Sequence, residues 1–171
     1  MLTSEQIDEL TQISKFTPKE IRRLYKRFRR LDINSDGHIS HEEFLKLPEL
    51  ATNPLKDRIL VLFDNNTEDS VSFKSFISTL NIFSSRADKS EKLKAAFKIY
   101  DVDGDGLISP ADLTQIVKLL VGETLSETQI EQVVTKTISE SDFDSDGLLN
   151  FEEFAKTMNV VDFESKFSIR F

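Results

Sequence analysis

The stretch Asp142-Phe143-Asp144-Ser145-Asp146-Gly147-Leu148-Leu149-Asn150-Phe151-Glu152-Glu153 decides the fold of this chain. Side-chain oxygens stand at its first, third, fifth and ninth positions, on Asp142, Asp144, Asp146 and Asn150. Gly147 is sixth, where a sharp turn is needed, and the carbonyl of Leu148 is free to point inward from the seventh. Glu153 closes the frame with a carboxylate long enough to offer both oxygens. Donors of this kind at this spacing wrap around one hard divalent cation, and Ca²⁺ is the ion they suit.

The same frame starts again at Asp32, Asp64 and Asp101. Aligned on these residues, the eighth position reads Ile39, Val71, Ile108 and Leu149, and the thirteenth reads Phe44, Phe76, Leu113 and Phe154. Neither position binds metal. The eighth is where two loops pair through a short β contact, and the thirteenth opens the exiting helix on its core side. Agreement at non-ligand positions identifies four EF-hands. The expected fold is all-α, with the hands in two paired lobes and short antiparallel β contacts between paired loops.

The four frames differ in chemistry. Loop one offers Asp32, Asn34, Asp36, the carbonyl of His38, Ser40 through a water, and Glu43. Loop three offers Asp101, Asp103, Asp105, the carbonyl of Leu107, Ser109 and Asp112. Asp112 is one methylene shorter than glutamate, so two-oxygen coordination requires the exiting helix to move inward. Weaker Ca²⁺ affinity and tolerance of six-coordinate Mg²⁺ are therefore expected there. Loop two, Asp64 to Ser75, has Asp69 in place of the glycine and Ser75 in place of the final carboxylate. It is expected to be empty or very weak and to act as a scaffold that pairs Val71 with Ile39. Ca²⁺ is thus expected in loops one, three and four, with loop four the tightest.

Composition narrows the function. The chain of 171 residues has no Cys and two His, which leaves oxygen-liganded ions as the metals its side chains suit. A formal charge of −8 argues against nucleic acid as a partner, and three bound Ca²⁺ would bring it to about −2. Fourteen Phe against two Tyr and no Trp point to a core of rings that need no polar partner. There is no apolar run long enough for a membrane span, no secretory signal, and no Gly at the second position for N-myristoylation, since the sequence as given reads Met1-Leu2. A cytoplasmic protein is expected. No Ser/His/Asp arrangement, P-loop or HExxH occurs, and the acidic residues are taken up as loop ligands, so no catalytic residue is assigned.

Residues 1–17 read as an extra helix and lead-in carrying Ile7, Leu10 and Ile13. The first lobe spans 18–84, a polar connector 85–89, the second lobe 90–159, and an apolar tail 160–171. Thr17-Pro18-Lys19-Glu20 and Ser126-Glu127-Thr128-Gln129 are capping boxes. Ile21, Leu24, Phe28 and Leu31 line one face of the first entering helix, and its other face is basic from Lys19 to Arg30. Asn53-Pro54 is expected to start the entering helix of hand two and Ser90 to cap that of hand three. Leu93, Ala96, Phe97 and Tyr100 are expected to face inward there, and Ile130, Val133, Val134 and Ile138 in hand four. The tail is expected to fold back into a hydrophobic groove, with a place in a partner interface as the alternative.

Two lobes, one disabled loop and Phe- and Leu-rich exiting helices favour a regulatory protein over a simple Ca²⁺ buffer. With only Met1 and Met158, the groove is expected to be less plastic than a Met-rich one and to serve few partners. The chain resembles the calcineurin B family, the regulatory subunits of the Ca²⁺/calmodulin-dependent Ser/Thr phosphatase. The likeness is carried by Asn53-Pro54-Leu55-Lys56-Asp57-Arg58-Ile59, Glu91-Lys92-Leu93-Lys94-Ala95-Ala96-Phe97-Lys98-Ile99-Tyr100-Asp101 and Leu119-Leu120-Val121-Gly122. The resemblance implies a non-enzymatic subunit whose hydrophobic groove, running across both lobes, takes a long amphipathic helix of the phosphatase catalytic subunit. Loop two and Leu2 depart from that family. The ending Lys166-Phe167-Ser168-Ile169-Arg170-Phe171 is similar to calcineurin B homologous proteins, cofactors of Na⁺/H⁺ exchangers, which makes an ion-exchanger helix the alternative partner. A stand-alone EF-hand sensor or buffer is the remaining alternative.

Overall fold

Most helices among the described residues begin at a side-chain oxygen that accepts a backbone N–H three residues on. Thr3 starts α1 (Ser4–Ile13), Thr17 starts α2 (Pro18–Leu31), and Ser126 starts α9 (Glu127–Ser141). Each forms a reciprocal capping box with the residue three positions later, Gln6, Glu20 or Gln129. Two otherwise unpaired donors are satisfied at each start, worth about 1 kcal/mol per cap. The structure is a computed structural model that describes residues 2–63 and 70–158. The described residues divide into one unit ending at Asp88 and a second beginning at Lys89.

In the first unit, α1 and α2 are followed by β1 (His38–Ser40), α3 (His41–Leu45), α4 (Pro48–Ala51), α5 (Lys56–Phe63), β2 (Ser70–Ser72) and α6 (Phe73–Phe83). Strands β1 and β2 pair antiparallel with Ile39 opposite Val71, and both side chains are fully buried. The core is a chain of rings. Phe28 meets Phe73 at 5.2 Å and Phe76 at 5.5 Å, edge-on, while Phe44 meets Phe63 at 4.5 Å. Edge-to-face contact adds to the roughly 1.5–3 kcal/mol from burying each ring. The extra helix α1 belongs to this core, since Ile7 and Leu10 pack with Ile21 of α2 and Ile77 of α6. Proline at position 48 separates the exiting helix of hand one into α3 and α4, because proline lacks the N–H that would continue the ladder.

The second unit holds α7 (Lys89–Tyr100), α8 (Pro110–Val121), α9 and α10 (Phe151–Thr157). Ile108 and Leu149 form an antiparallel bridge with N–H to O distances of 2.9 Å in both directions. Phe97 stands edge-on to Phe151 and Phe154, and Tyr100 lies against Phe154. Gly122, at φ 56°, ends α8 with its N–H on the Lys118 carbonyl. The fold is therefore all-α apart from the short loop contacts.

Several local expectations shift. Helix α7 starts at Lys89, so Ser90 lies inside its first turn instead of capping it. Helix α5 starts at Lys56, three residues after Asn53, whose side chain accepts the Leu55 N–H at 2.9 Å and closes a turn ahead of the helix. Ile13 and Val133 continue the apolar periodicity of their helices yet are 41% and 43% exposed, because no neighbouring element among the described residues covers them. Lys92, read only as part of a family motif, is buried in α7. The tail at 160–171 lies outside the described residues.

Candidate metal centres and an apolar groove

Each complete loop begins at the last turn of a helix. The amides of Asp32, Asp101 and Asp142 donate to Phe28, Phe97 and Ile138 as the helices end. From there the acidic side chains are tied to the backbone in one repeated pattern. The first-position carboxylate takes two N–H groups of the turn: Asp36 and Gly37 for Asp32, Gly104 and Gly106 for Asp101, Asp146 and Gly147 for Asp142. The third-position oxygens of Asn34, Asp103 and Asp144 take the amide two residues on, at 3.1, 3.1 and 3.2 Å. Asp36, Asp105 and Asp146 take the seventh-position amide at 2.8 Å in every case. These Asx-type bonds turn the side chains toward one centre.

The closing carboxylate ties both ends of each loop together. Glu43 accepts the Ile33 N–H at 3.1 Å and the Ser40 N–H at 3.0 Å. Glu153 accepts Phe143 at 2.8 Å and Asn150 at 3.0 Å. Asp112, despite its shorter side chain, does the same with Val102 at 3.2 Å and Ser109 at 2.8 Å. Helix α8 thus already stands close enough for the shorter acid to span the loop, a reach that side-chain length alone does not convey. Asp112 and Glu153 are both buried.

The sixth-position glycines Gly37, Gly106 and Gly147 have φ of 90°, 88° and 83°, which a side chain would strain. The fourth position is also left-handed, at Ser35 (φ 60°), Gly104 (φ 75°) and Ser145 (φ 61°). Sequence reading missed this second turn constraint, and Gly104 was its one visible sign. It placed Arg29 only in the basic face of α2, without its pairing to Asp32, from which the guanidinium lies 3.2 Å. A cation three residues before the first ligand, in the last helical turn, was the available signal.

The oxygens of Asp101, Asp103 and Asp105 lie within 4.8 Å of one another, as do those of Asp142, Asp144 and Asp146. Burial and crowding of like charge both act on the pKa values of the third-position carboxyls. Asp103 accepts an N–H from Asp105 that lowers its pKa, but burial and the charges of Asp112, Asp105 and Asp101 prevail and raise it above the ordinary value. Asp144 is raised by burial first, then by Asp146, Glu153 and Asp142. The Asn150 amide foremost holds Glu153 below its usual range, and the Ser40 amide does the same for Glu43. Asp36 is lowered by the His38 amide and then by the Asn34 side chain. A cluster of hard oxygens that repel one another suits a dication, which would relieve the repulsion when bound.

Loop two differs where it is described. Ser75 takes the closing position with its hydroxyl 3.0 Å from that of Ser72, and its amide donates to Ser72 at 3.2 Å. The local cap is kept without any carboxylate. Asp64, Asn66, Glu68 and Asp69 fall outside the described residues.

A groove of about 1150 Å³ opens in the first unit. Its apolar wall is made by Phe16, Leu24, Leu31, Leu47, Leu80 and Phe83. At one end Glu20 receives two N–H bonds from Arg86, both at 3.1 Å, and Arg86 also donates to the Lys15 carbonyl at 2.8 Å. Arg86 foremost, with the amide and hydroxyl of Thr17, lowers the Glu20 carboxyl to about 2. Among the described residues no helix is long and apolar enough to cross a membrane.

Paired helix–loop–helix hands with carboxylate-closed loops define an EF-hand protein, and the family models agree. The EF-hand domain pair matches residues 90–158 and an EF hand matches residues 24–48. The chain is 50% identical to the calcineurin B subunit of Naegleria gruberi over 169 residues, which is 99% of this chain and 96% of that one. It is 40% identical to the type 1 calcineurin B subunit of Dictyostelium discoideum, covering 99% and 94% of the two chains. It is 42% identical to the calcineurin B subunit of Candida glabrata, covering 98% and 96%. The chain belongs to the calcineurin B family, and is accordingly a Ca²⁺-binding regulatory subunit and not an enzyme.

Proposed function

We propose that this protein binds Ca²⁺ in loops one, three and four and presents its hydrophobic groove to an amphipathic helix of a calcineurin-type Ser/Thr phosphatase catalytic subunit in the cytoplasm. The groove is the observation that carries the partner reading. Its apolar wall brings together the α1–α2 turn, α2, the α3–α4 turn and the end of α6, and it has room for roughly two turns of a helix about 10 Å across. Kinship to proteins named as calcineurin B subunits supports the choice of a phosphatase chain.

The metal assignment rests on donor chemistry. Asp32, Asn34, Asp36, Ser40 and Glu43 would hold the ion of loop one, with the His38 carbonyl. Asp101, Asp103, Asp105, Ser109 and Asp112 would serve loop three with the Leu107 carbonyl, where Mg²⁺ is the competing ion. Asp142, Asp144, Asp146, Asn150 and Glu153 would serve loop four with the Leu148 carbonyl. Loop two is empty or very weak in this reading. Bound Ca²⁺ supplies positive charge at each acidic cluster. The chain's own residues do the rest: the closing carboxylates link the loop ends to the exiting helices, and those helices carry core residues such as Phe44 and Phe154. Loop charge is thereby coupled to the packing of each unit.

Co-elution tests the partner. The full chain should form a one-to-one complex with a recombinant calcineurin-type catalytic chain in size exclusion. A complex with an exchanger-tail peptide and none with the phosphatase chain would overturn the reading.

A further inference from the structure

The groove carries a charge pattern that the basic run of α2 does not disclose by itself. Of the cations from Lys19 to Arg30, only Arg23, Lys26, Arg27 and Arg30 border it. These four fall at i, i+3, i+4 and i+7, a single stripe along an α-helix. Arg29 is turned away to Asp32. Arg23, Lys26 and Arg30 are exposed and make no ion pair among the described residues. The carboxylate that the described lining does contain, Glu20, has both oxygens taken by Arg86. A row of cations therefore runs beside an apolar wall in which Phe16, Leu24, Leu31 and Phe83 stay partly exposed.

We infer that the helix accepted by this groove has an acidic flank, with carboxylates at i, i+3 or i+4, and i+7 beside its apolar face. The inference rests on the groove taking a partner helix and specifies the chemistry of that partner. The cation stripe spans about 10 Å of helix axis, close to the screening length of roughly 8 Å at physiological salt, so neighbouring charges act together. Against a low-dielectric wall such a field favours an acidic helix and repels a basic one, giving the groove both attraction and exclusion. A flat anionic bilayer could meet the exposed cations but not the concave apolar wall of Phe16, Leu24, Leu31 and Phe83. A helix meets both.

The test uses the full chain with Ca²⁺ present and two fluorescent peptides sharing one apolar face, flanked by Glu in one and by Lys in the other. Anisotropy should give the Glu-flanked peptide about tenfold tighter binding at roughly 50 mM salt, narrowing as salt rises. The paired change Arg23→Glu and Arg30→Glu, on exposed positions, should abolish or reverse the preference, and the milder Arg23→Gln and Arg30→Gln pair should reduce it. Equal affinities for the two peptides would overturn the acidic flank and leave the groove reading standing. No binding of either peptide would overturn both. Vesicles containing phosphatidylserine that displace the Glu-flanked peptide through the same arginines would assign the stripe to a membrane surface and overturn the inference.

Discussion

Asp112→Asn separates the two roles given to the closing residue of loop three. The carboxylate accepts the Val102 N–H with one oxygen and the N–H and hydroxyl of Ser109 with the other. An amide of the same shape keeps one acceptor. Either Val102 or Ser109, both part-buried, then faces an NH₂ group and loses its bond to a charged acceptor, worth about 1.5–3 kcal/mol. Loss of the Asp112 charge eases the crowding that raises Asp103, which offsets part of that cost. A net destabilisation of about 1–2 kcal/mol is expected in chelator. In Ca²⁺ at 100 times the dissociation constant the wild type gains about 2.7 kcal/mol from an occupied site, which a variant that no longer binds forfeits, so the gap should widen to roughly 4. Urea unfolding followed through the amide resonances of α8 measures both values, and exchange of the Val102 and Ser109 amides reports the local bonds. An unchanged chelator midpoint with unchanged exchange would refute the closing role. An equal Ca²⁺-dependent gain in both proteins would refute loop three as a site.

Other perturbations address the remaining parts. Glu153→Gln removes the closing charge of loop four and should weaken one Ca²⁺ site by at least about tenfold, or 1.4 kcal/mol, in titration calorimetry; an unchanged isotherm would contradict the ligand assignment. Calorimetry should also count three Ca²⁺ in the wild type, from the complete frames at Asp32, Asp101 and Asp142. Asp69→Gly with Ser75→Glu should add a further site, and a count left unchanged by the repair would show that more than these two positions disables loop two. Glu20 is held at about 2 instead of 4.5, so its contribution to stability is complete above about 4.5 and fades as the pH falls toward 2. Arg86→Ala should move the Glu20 titration upward in carboxyl NMR, and an unmoved curve would dismiss the ion pair as its main cause. Ser145→Gly relieves a φ of 61° and should raise stability by up to about 1 kcal/mol in urea; a loss would mean that the serine side chain supports the turn.

The loops and helix starts were readable because their interactions are local. Asp142 to Glu153 closes on itself through bonds between residues at most ten apart, and the boxes at Thr17 and Ser126 span three. Where local signals competed, reading was poorer. Ser90 has the right chemistry for a cap, yet α7 begins one residue earlier. Val133 has the right period for a core residue, yet packing leaves it outside.

What is specified within the linear chain, then, is the ion: twelve consecutive residues contain every donor a site needs, and their order sets the turns. The groove proposed for a partner is specified by none of them alone. Phe16, Leu31, Leu47 and Phe83 come from distant parts of the chain and form one wall only after α2 and α6 pack together. That packing also selects Arg23, Lys26, Arg27 and Arg30 from a longer basic run, because only the side of α2 facing the groove can border it. Likewise, the sufficiency of Asp112 depends on how closely α8 approaches the start of its loop, a distance set by the helix's position and not by the length of one side chain.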